Sequence, residues 1–224
     1  MNFGNLQKIR DGKRTYGITP HIPGGFITTD IMQKIVDVAK KYNGVLKLTS
    51  GQRILITNLK EEDLPGIWDE LGMEPAVKTQ NSVKNVEMCP AGYCKRSKYN
   101  TIGTGMKLLR KYHWMEVPCR TKIGVAGCRN ACGSVYSKDV GVIADITGFI
   151  VTAGGSAGYN PRIADIIIKD ITEDQALKLV DNIFEYYKEV AEPGEKLGFL
   201  IDRIGIDKFN EEVIKDINKI SNGN

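Results

Sequence analysis

Five cysteines occur in the 224 residues, and four of them stand in two tight pairs: Cys89 with Cys94 in CPAGYC, and Cys128 with Cys132 in CRNAC. Thiolates are soft ligands, and four at close spacing are what zinc and iron-sulfur clusters select. The gaps of four and three residues are wider than the two-residue gap usual in zinc ribbons and knuckles, which favours iron-sulfur. A structural zinc clamp and a set of buried, reduced thiols are the alternatives. A redox cluster also needs backbone close to its sulfurs, and Gly92, Gly127 and Gly133 lie beside the cysteines.

Cations cluster along the same stretches: Arg53 in TSGQR, Lys84 in VKNVEMC, Lys95 and Arg96 after Cys94, Arg120 and Lys122 in VPCRTKIGVAGC, and Arg129 inside the second pair. Gathered around a cluster they would form a strongly positive pocket. Fixed cations shielded from water hold small oxyanions and polarise their oxygens for departure. Taken singly, each also reads as a solvated surface charge.

Composition adds limits. With 42% hydrophobic and 26% charged residues the chain is ordinary globular material, long enough to bury a real core. A net charge of +4 is too mild for nucleic-acid binding but suits a locally held anion. No apolar run approaches a membrane span, and the polar opening MNFGNLQKIRDGKRTYG is no leader. The expectation is a cytoplasmic, reducing location, and the odd cysteine count argues against a disulfide framework.

The elements that must position these residues follow from pattern. Tyr16 to Ile27, broken by Pro20, Pro23 and Gly24-Gly25, reads as a kinked strand. Thr28, Thr29 and Asp30 offer N-caps for a helix whose Ile31, Ile35, Val38 and Ala39 share one face. Asn43-Gly44 ends it, two short strands meet around Ser50-Gly51, and Asp63 to Leu71 gives a second helix closed by Gly72. From about Glu74 a loop-rich stretch carries the first cysteine pair. A helix is expected over Asn100 to His113, weakened by Gly103 and Gly105. Strands are expected over Thr121 to Ala126, Asp139 to Ile146, Phe149 to Ala153 and Ile163 to Ile168. Thr172 caps a long helix to Val190, and helices around Lys196 to Ile204 and Lys208 to Ile220 precede a frayed Ser221 to Asn224.

CPAGYC with GCRNAC, the upstream VKNVEMCP, the strand KIGVAGC, the segment KDVGVIAD and the Gly154-Gly155 turn before RIADIII together resemble the siroheme-dependent sulfite and nitrite reductases. The stretch YGITPHIPGGFITTDIMQKIVDVAKKYNGVLKLTSGQRILI is similar to the ferredoxin-like half-domain that precedes the cluster domain in that family. The likeness runs from about Lys13 to Gly205. It implies an α+β chain: a ferredoxin-like half-domain over residues 1–75, then an α/β siroheme and 4Fe-4S domain over residues 76–224, one repeat of the family's fold.

The resemblance implies further that Cys89, Cys94, Cys128 and Cys132 ligate a 4Fe-4S cluster, with Cys132 also bridging to the siroheme iron. Arg53, Lys84, Arg120 and Lys122 match the family's four anion-binding cations, two of them with lysine and arginine exchanged, which alters hydrogen-bond geometry. Gln52, Asn85, Arg96, Arg129 and Asn130 are the nearest candidates for the siroheme carboxylates. Two departures stand out. The family usually has five residues between its first two cysteines where this chain has four, and its familiar members carry two repeats. A single repeat is like the small members of anaerobic prokaryotes, and the exposed cofactor face points to a homodimer. With no nucleotide or flavin motif, electrons must come from a ferredoxin-like partner or reductase subunit. Sulfite and nitrite suit the same cations. The competing functions are an electron carrier or regulatory protein that holds the cofactors without reducing anything, and the structural zinc protein.

Overall fold

The structure is a computed structural model that describes residues 3–9 and 12–217. It divides into two compact units between Lys78 and Thr79.

The first unit is an antiparallel sheet of order β1-β2-β4-β3, built from β1 (Asn5–Leu6), β2 (Tyr16–Ile18), β3 (Val45–Leu48) and β4 (Ile54–Leu59). Helices α1 (Thr29–Lys41) and α2 (Leu64–Leu71) cover it. Ile35, Val38 and Ala39 of α1 pack with Ile54, Ile56 and Leu59 of β4 and Leu64, Ile67 and Leu71 of α2. Thr28 caps α1 by accepting the Ile31 N–H at 3.3 Å. Two expectations shift. The strand from Tyr16 ends at Ile18, because Pro20 and the Pro23–Gly25 turn interrupt the ladder. Ile31, placed with the apolar face, is 38% exposed in the helix's first turn.

The second unit is a mixed sheet of order β5-β6-β7-β8-β9: β5 (Val83–Met88), β6 (Thr121–Ala126), β7 (Val140–Ala144), β8 (Phe149–Ala153) and β9 (Asp165–Ile171). The first three are parallel, and β8 and β9 antiparallel. Helices α3 (Ile102–Tyr112), α4 (Glu173–Val190), α5 (Leu197–Ile204) and α6 (Ile206–Ile214) complete it. Leu108, Leu179, Ile183, Leu200 and Phe209 join the apolar side of the sheet in one core. Thr172 and Gln175 form a reciprocal capping box that starts α4.

Here too the sequence reading needs correction. The stretch read as loop before Cys89 contains strand β5; its alternate residues Asn85 and Glu87 are polar yet buried, so the apolar signal is missing. Strand β9 starts at Asp165, and Ile163 lies outside it, 79% exposed. Gly105, which weakened α3 as a helix, is what lets it dock: a Cβ there would lie 2.8 Å from the Cγ of Met88. Helix α6 starts earlier than expected; residues 218–220 of the expected helix, and the fraying expected for Ser221 to Asn224, lie outside the described residues. Among the described residues no helix is long and apolar enough to cross a membrane.

Candidate active site

Strands β5 and β6 run side by side with Met88 opposite Val125, so the segments leaving them start together. Those segments are the two cysteine loops. The Cys89 N–H donates to the Val125 carbonyl at 3.0 Å and the Lys98 N–H to the Gly127 carbonyl at 2.7 Å. Ser97 Oγ donates to the carbonyls of Tyr99 at 2.7 Å and Gly127 at 3.1 Å. Gly127 is required at the crossing, because a Cβ would collide with Ser97 Oγ and lie 2.7 Å from the Cβ of Ala91. In the second loop the Ala131 N–H returns to the Cys128 carbonyl at 3.1 Å, with Ala131 at φ 44°.

All five thiols are free; Cys89, Cys119 and Cys128 are half-buried, Cys94 and Cys132 exposed. Gly127 N–H donates to Cys89 Sγ at 3.2 Å and Asn130 Nδ2 to Cys132 Sγ at 2.9 Å. Burial pushes the Cys89 thiol up, the Gly127 N–H opposes this, and the nearby sulfurs of Cys128 and Cys132 add to it. Among the described residues no three His, Cys, Asp or Glu are grouped as one metal ion would require. Four thiols on two laced loops, two of them accepting N–H groups, with backbone pressed close at Gly127, fit a thiolate-ligated cluster. Of the other glycines, Gly92 faces Asn100, and Gly133 meets nothing within 4 Å.

The cations form a separate feature. Lys84, Arg120, Lys122, Lys138 and Lys196 line one cavity of about 180 Å³ together with Asp139 and the loop after β8. Lys84, Lys122 and Lys138 lie at or just before the starts of β5, β6 and β7, whereas the cysteine loops leave the ends of β5 and β6. The cations are therefore gathered, but not around the cysteines as the sequence suggested: from Lys84 to Cys89 the chain is extended over five residues, about 16 Å.

Beneath the cavity lies Glu87, 3% exposed, with Lys138 Nζ 2.6 Å from Oε2 and Lys122 Nζ 3.3 Å from Oε1. The Lys122 N–H donates to Asp139 Oδ2 at 2.8 Å. Burial raises the Asp139 carboxyl to about 6, against that hydrogen bond and the charges of Lys196 and Lys122. Lys138 and Lys196 escaped the sequence reading. A Lys-Asp pair abutting a wholly buried strand, as Lys138-Asp139 abuts β7, was the signal available for the first; nothing local marks the second.

Arg53 and Gln52 belong to the first unit, between β3 and β4, where Arg53 adds to the burial that holds His21 below the usual imidazole range. Asn85 is buried within β5, Arg96 is exposed, and Arg129 lies 3.5 Å from Asp145. The Cys119 carbonyl accepts from Thr121 Oγ1 at 3.0 Å, and its thiol lies near the phenol of Tyr187, which burial and that sulfur push well above the usual range.

Against known proteins, residues 79–221 match the nitrite and sulphite reductase 4Fe-4S domain and residues 7–74 the nitrite/sulfite reductase ferredoxin-like half domain. The assimilatory-type sulfite reductase of Nitratidesulfovibrio vulgaris is 28% identical over 92% of this chain and 95% of its own length. The nitrite reductase [NAD(P)H] of Emericella nidulans is 31% identical over 96% of this chain, which spans only 20% of that larger protein. The fold is also that of dissimilatory sulfite reductase I, with a TM-score of 0.78 and 16% identity over 89% of this chain and 69% of that one. The chain thus belongs to the nitrite and sulfite reductase family.

Proposed function

We propose that the protein is a siroheme- and 4Fe-4S-dependent reductase of a small oxyanion, taking sulfite to sulfide or nitrite to ammonia with six electrons. The observation that carries this reading is a cation-lined cavity built on the same two strands, β5 and β6, that end in the four-cysteine loops. In it the half-domain is residues 1–75 and the cofactor domain residues 76–224. Cys89, Cys94, Cys128 and Cys132 hold the cluster and Cys132 also holds siroheme, with Gln52, Asn85, Arg96, Arg129 and Asn130 toward the siroheme carboxylates. When bound, these groups supply the electrons singly.

The chain's own residues do the rest. Lys84, Arg120, Lys122 and Arg53 grip the oxyanion, draw charge onto its oxygens and deliver protons as water leaves. Asp139, whose carboxyl titrates at about 6, sits beside Lys122 where a proton can be stored. The chain works in the cytoplasm of an anaerobe with a ferredoxin-like donor. A homodimer is favoured by the distance between Lys84 and Cys89, because in a symmetric pair the cations of one copy can meet the cysteine loops of the other. Edge strand β3, with Val45 59% and Leu48 78% exposed, gives such a pair apolar surface to cover.

The test is an anaerobic visible spectrum with iron and sulfide analysis, before and after dithionite and then sulfite or nitrite. About five irons per chain, four for the cluster and one for the macrocycle, with bands that shift on adding the anion, are expected. Cluster absorbance alone, with no turnover under strong reductant, would replace the reductase with an electron carrier; a colourless zinc protein would remove both.

A further inference from the structure

We propose that Glu87 is a positioning residue of the anion pocket: from beneath the floor it holds Lys122 and Lys138 with one carboxylate oxygen each, and so sets both their direction and the grip on a small oxyanion. This rests on the reading of the pocket as the oxyanion site.

The local structure is built around this contact. In the β5–β6 register Glu87 stands opposite Gly124, and a Cβ at Gly124 would lie 2.9 Å from Lys138 Cγ and 3.2 Å from the Cα of Val135. The glycine therefore leaves the slot along which the Lys138 stem reaches Glu87. A 3%-exposed carboxylate in a strand interior is costly unless paired, and a buried ion pair adds little net stability over apolar residues of similar size. What the arrangement supplies is placement.

The two contacts are unequal. Lys138, its side chain 10% exposed, sits at 2.6 Å. Lys122, 45% exposed, lies at 3.3 Å from an oxygen with no hydrogen-bond partner among the described residues. Lys138 is thus the fixed member and Lys122 the shared one, able to turn from Glu87 to an arriving anion. Glu87 aims Lys122 and at the same time competes with the anion for it.

Glu87→Gln keeps the volume and loses the charge. Calorimetric titration of sulfite into the cofactor-loaded protein should show binding about tenfold tighter, while kcat falls about tenfold, as the competing charge and the aim are lost together. Glu87→Asp keeps the charge on a shorter arm: affinity should stay near wild type while kcat falls. In a Lys138→Met background, where Glu87 is left with Lys122 alone, the affinity gained by Glu87→Gln should grow, because the two lysines share one carboxylate. Unchanged affinity and kcat in Glu87→Gln would overturn the assignment, as would cofactor loss with affinity and kcat falling in step. Should Glu87→Gln fail to fold, Glu87→Asp decides, since unchanged kcat there overturns it equally. Wild-type protein that neither binds nor reduces sulfite or nitrite would remove the oxyanion reading itself, whereas active wild type with unaltered variants removes only Glu87's role.

Discussion

Replacing Gly127 by alanine should empty the cluster site while leaving the main core folded. The new Cβ would collide with Ser97 Oγ and sit 2.7 Å from Ala91 Cβ and 2.9 Å from the Tyr99 carbonyl oxygen. Ser97 can swing aside, giving up its bonds to Tyr99 and Gly127; the other two neighbours cannot. Overpacking of this kind costs about 1–3 kcal/mol and the loss of the one hydroxyl proton that Ser97 shares between its two acceptors about 1, so about 2–4 kcal/mol falls on the crossing of the two loops. Because the large core of the second unit is formed by other residues, the loss should show as iron and sulfide well below wild type per chain, with a smaller change in the thermal midpoint of cluster-free protein. Adding Ser97→Ala should recover part of the iron, since it removes one collision of three. Full iron content and an unchanged midpoint in Gly127→Ala would refute the argument that the loops must touch there.

Three further outcomes are expected. Asp139→Asn should change the pH dependence of stability: a carboxyl raised from about 3.9 unfolded to about 6 folded contributes stability that is full below pH 4 and lost as pH rises through 6, about 3 kcal/mol in all. The asparagine protein should therefore gain on wild type above pH 6, and parallel unfolding midpoints from pH 4 to 8 would contradict this. Co-expressing Cys132→Ser and Lys122→Met chains, each inactive alone, should restore about a quarter of wild-type turnover if copies share sites across a twofold axis; no restoration would place each site within one chain. Thr172→Ala removes the cap that accepts the Gln175 N–H at 3.2 Å and should lower the melting temperature by about 2–4 °C, for a loss near 1 kcal/mol, as differential scanning would register.

The sequence was most legible where one local signal sufficed. Thr172 and Gln175 announce α4 because a capping box is a four-residue device, and the buried strand β8 reads directly as an apolar run between Gly148 and Gly154. Strand β5 was hidden because it is buried on both faces and one of them carries polar residues: Asn85 and Glu87 are buried, Glu87 against Lys122 of β6 and Lys138 on the approach to β7, while Val86 and Met88 join the core. The cysteine pairs were visible as ligand spacing, but their separation from the cations was not, since it depends on β5 and β6 being parallel, a fact of pairing across more than thirty residues. Lys196 joins the pocket from the start of α5 for the same non-local reason. Ile31 misled because apolar periodicity marks a face without saying where the face ends.

In the five-stranded sheet β5 is an edge, paired with β6, and it runs straight into Cys89. Its attachment has two parts, the ladder to β6 and whatever ties the two cysteine loops together. The amide protons of Glu87 and Cys89, two residues apart and so on the side of the edge strand that faces β6, where Cys89 donates to the Val125 carbonyl, therefore act as a gauge: they exchange with solvent only when the end of β5 peels away, and a bound cluster makes that opening a matter of breaking iron–sulfur bonds as well as hydrogen bonds. Measured with and without cluster, their exchange rates report how much of the sheet's edge is held by protein alone.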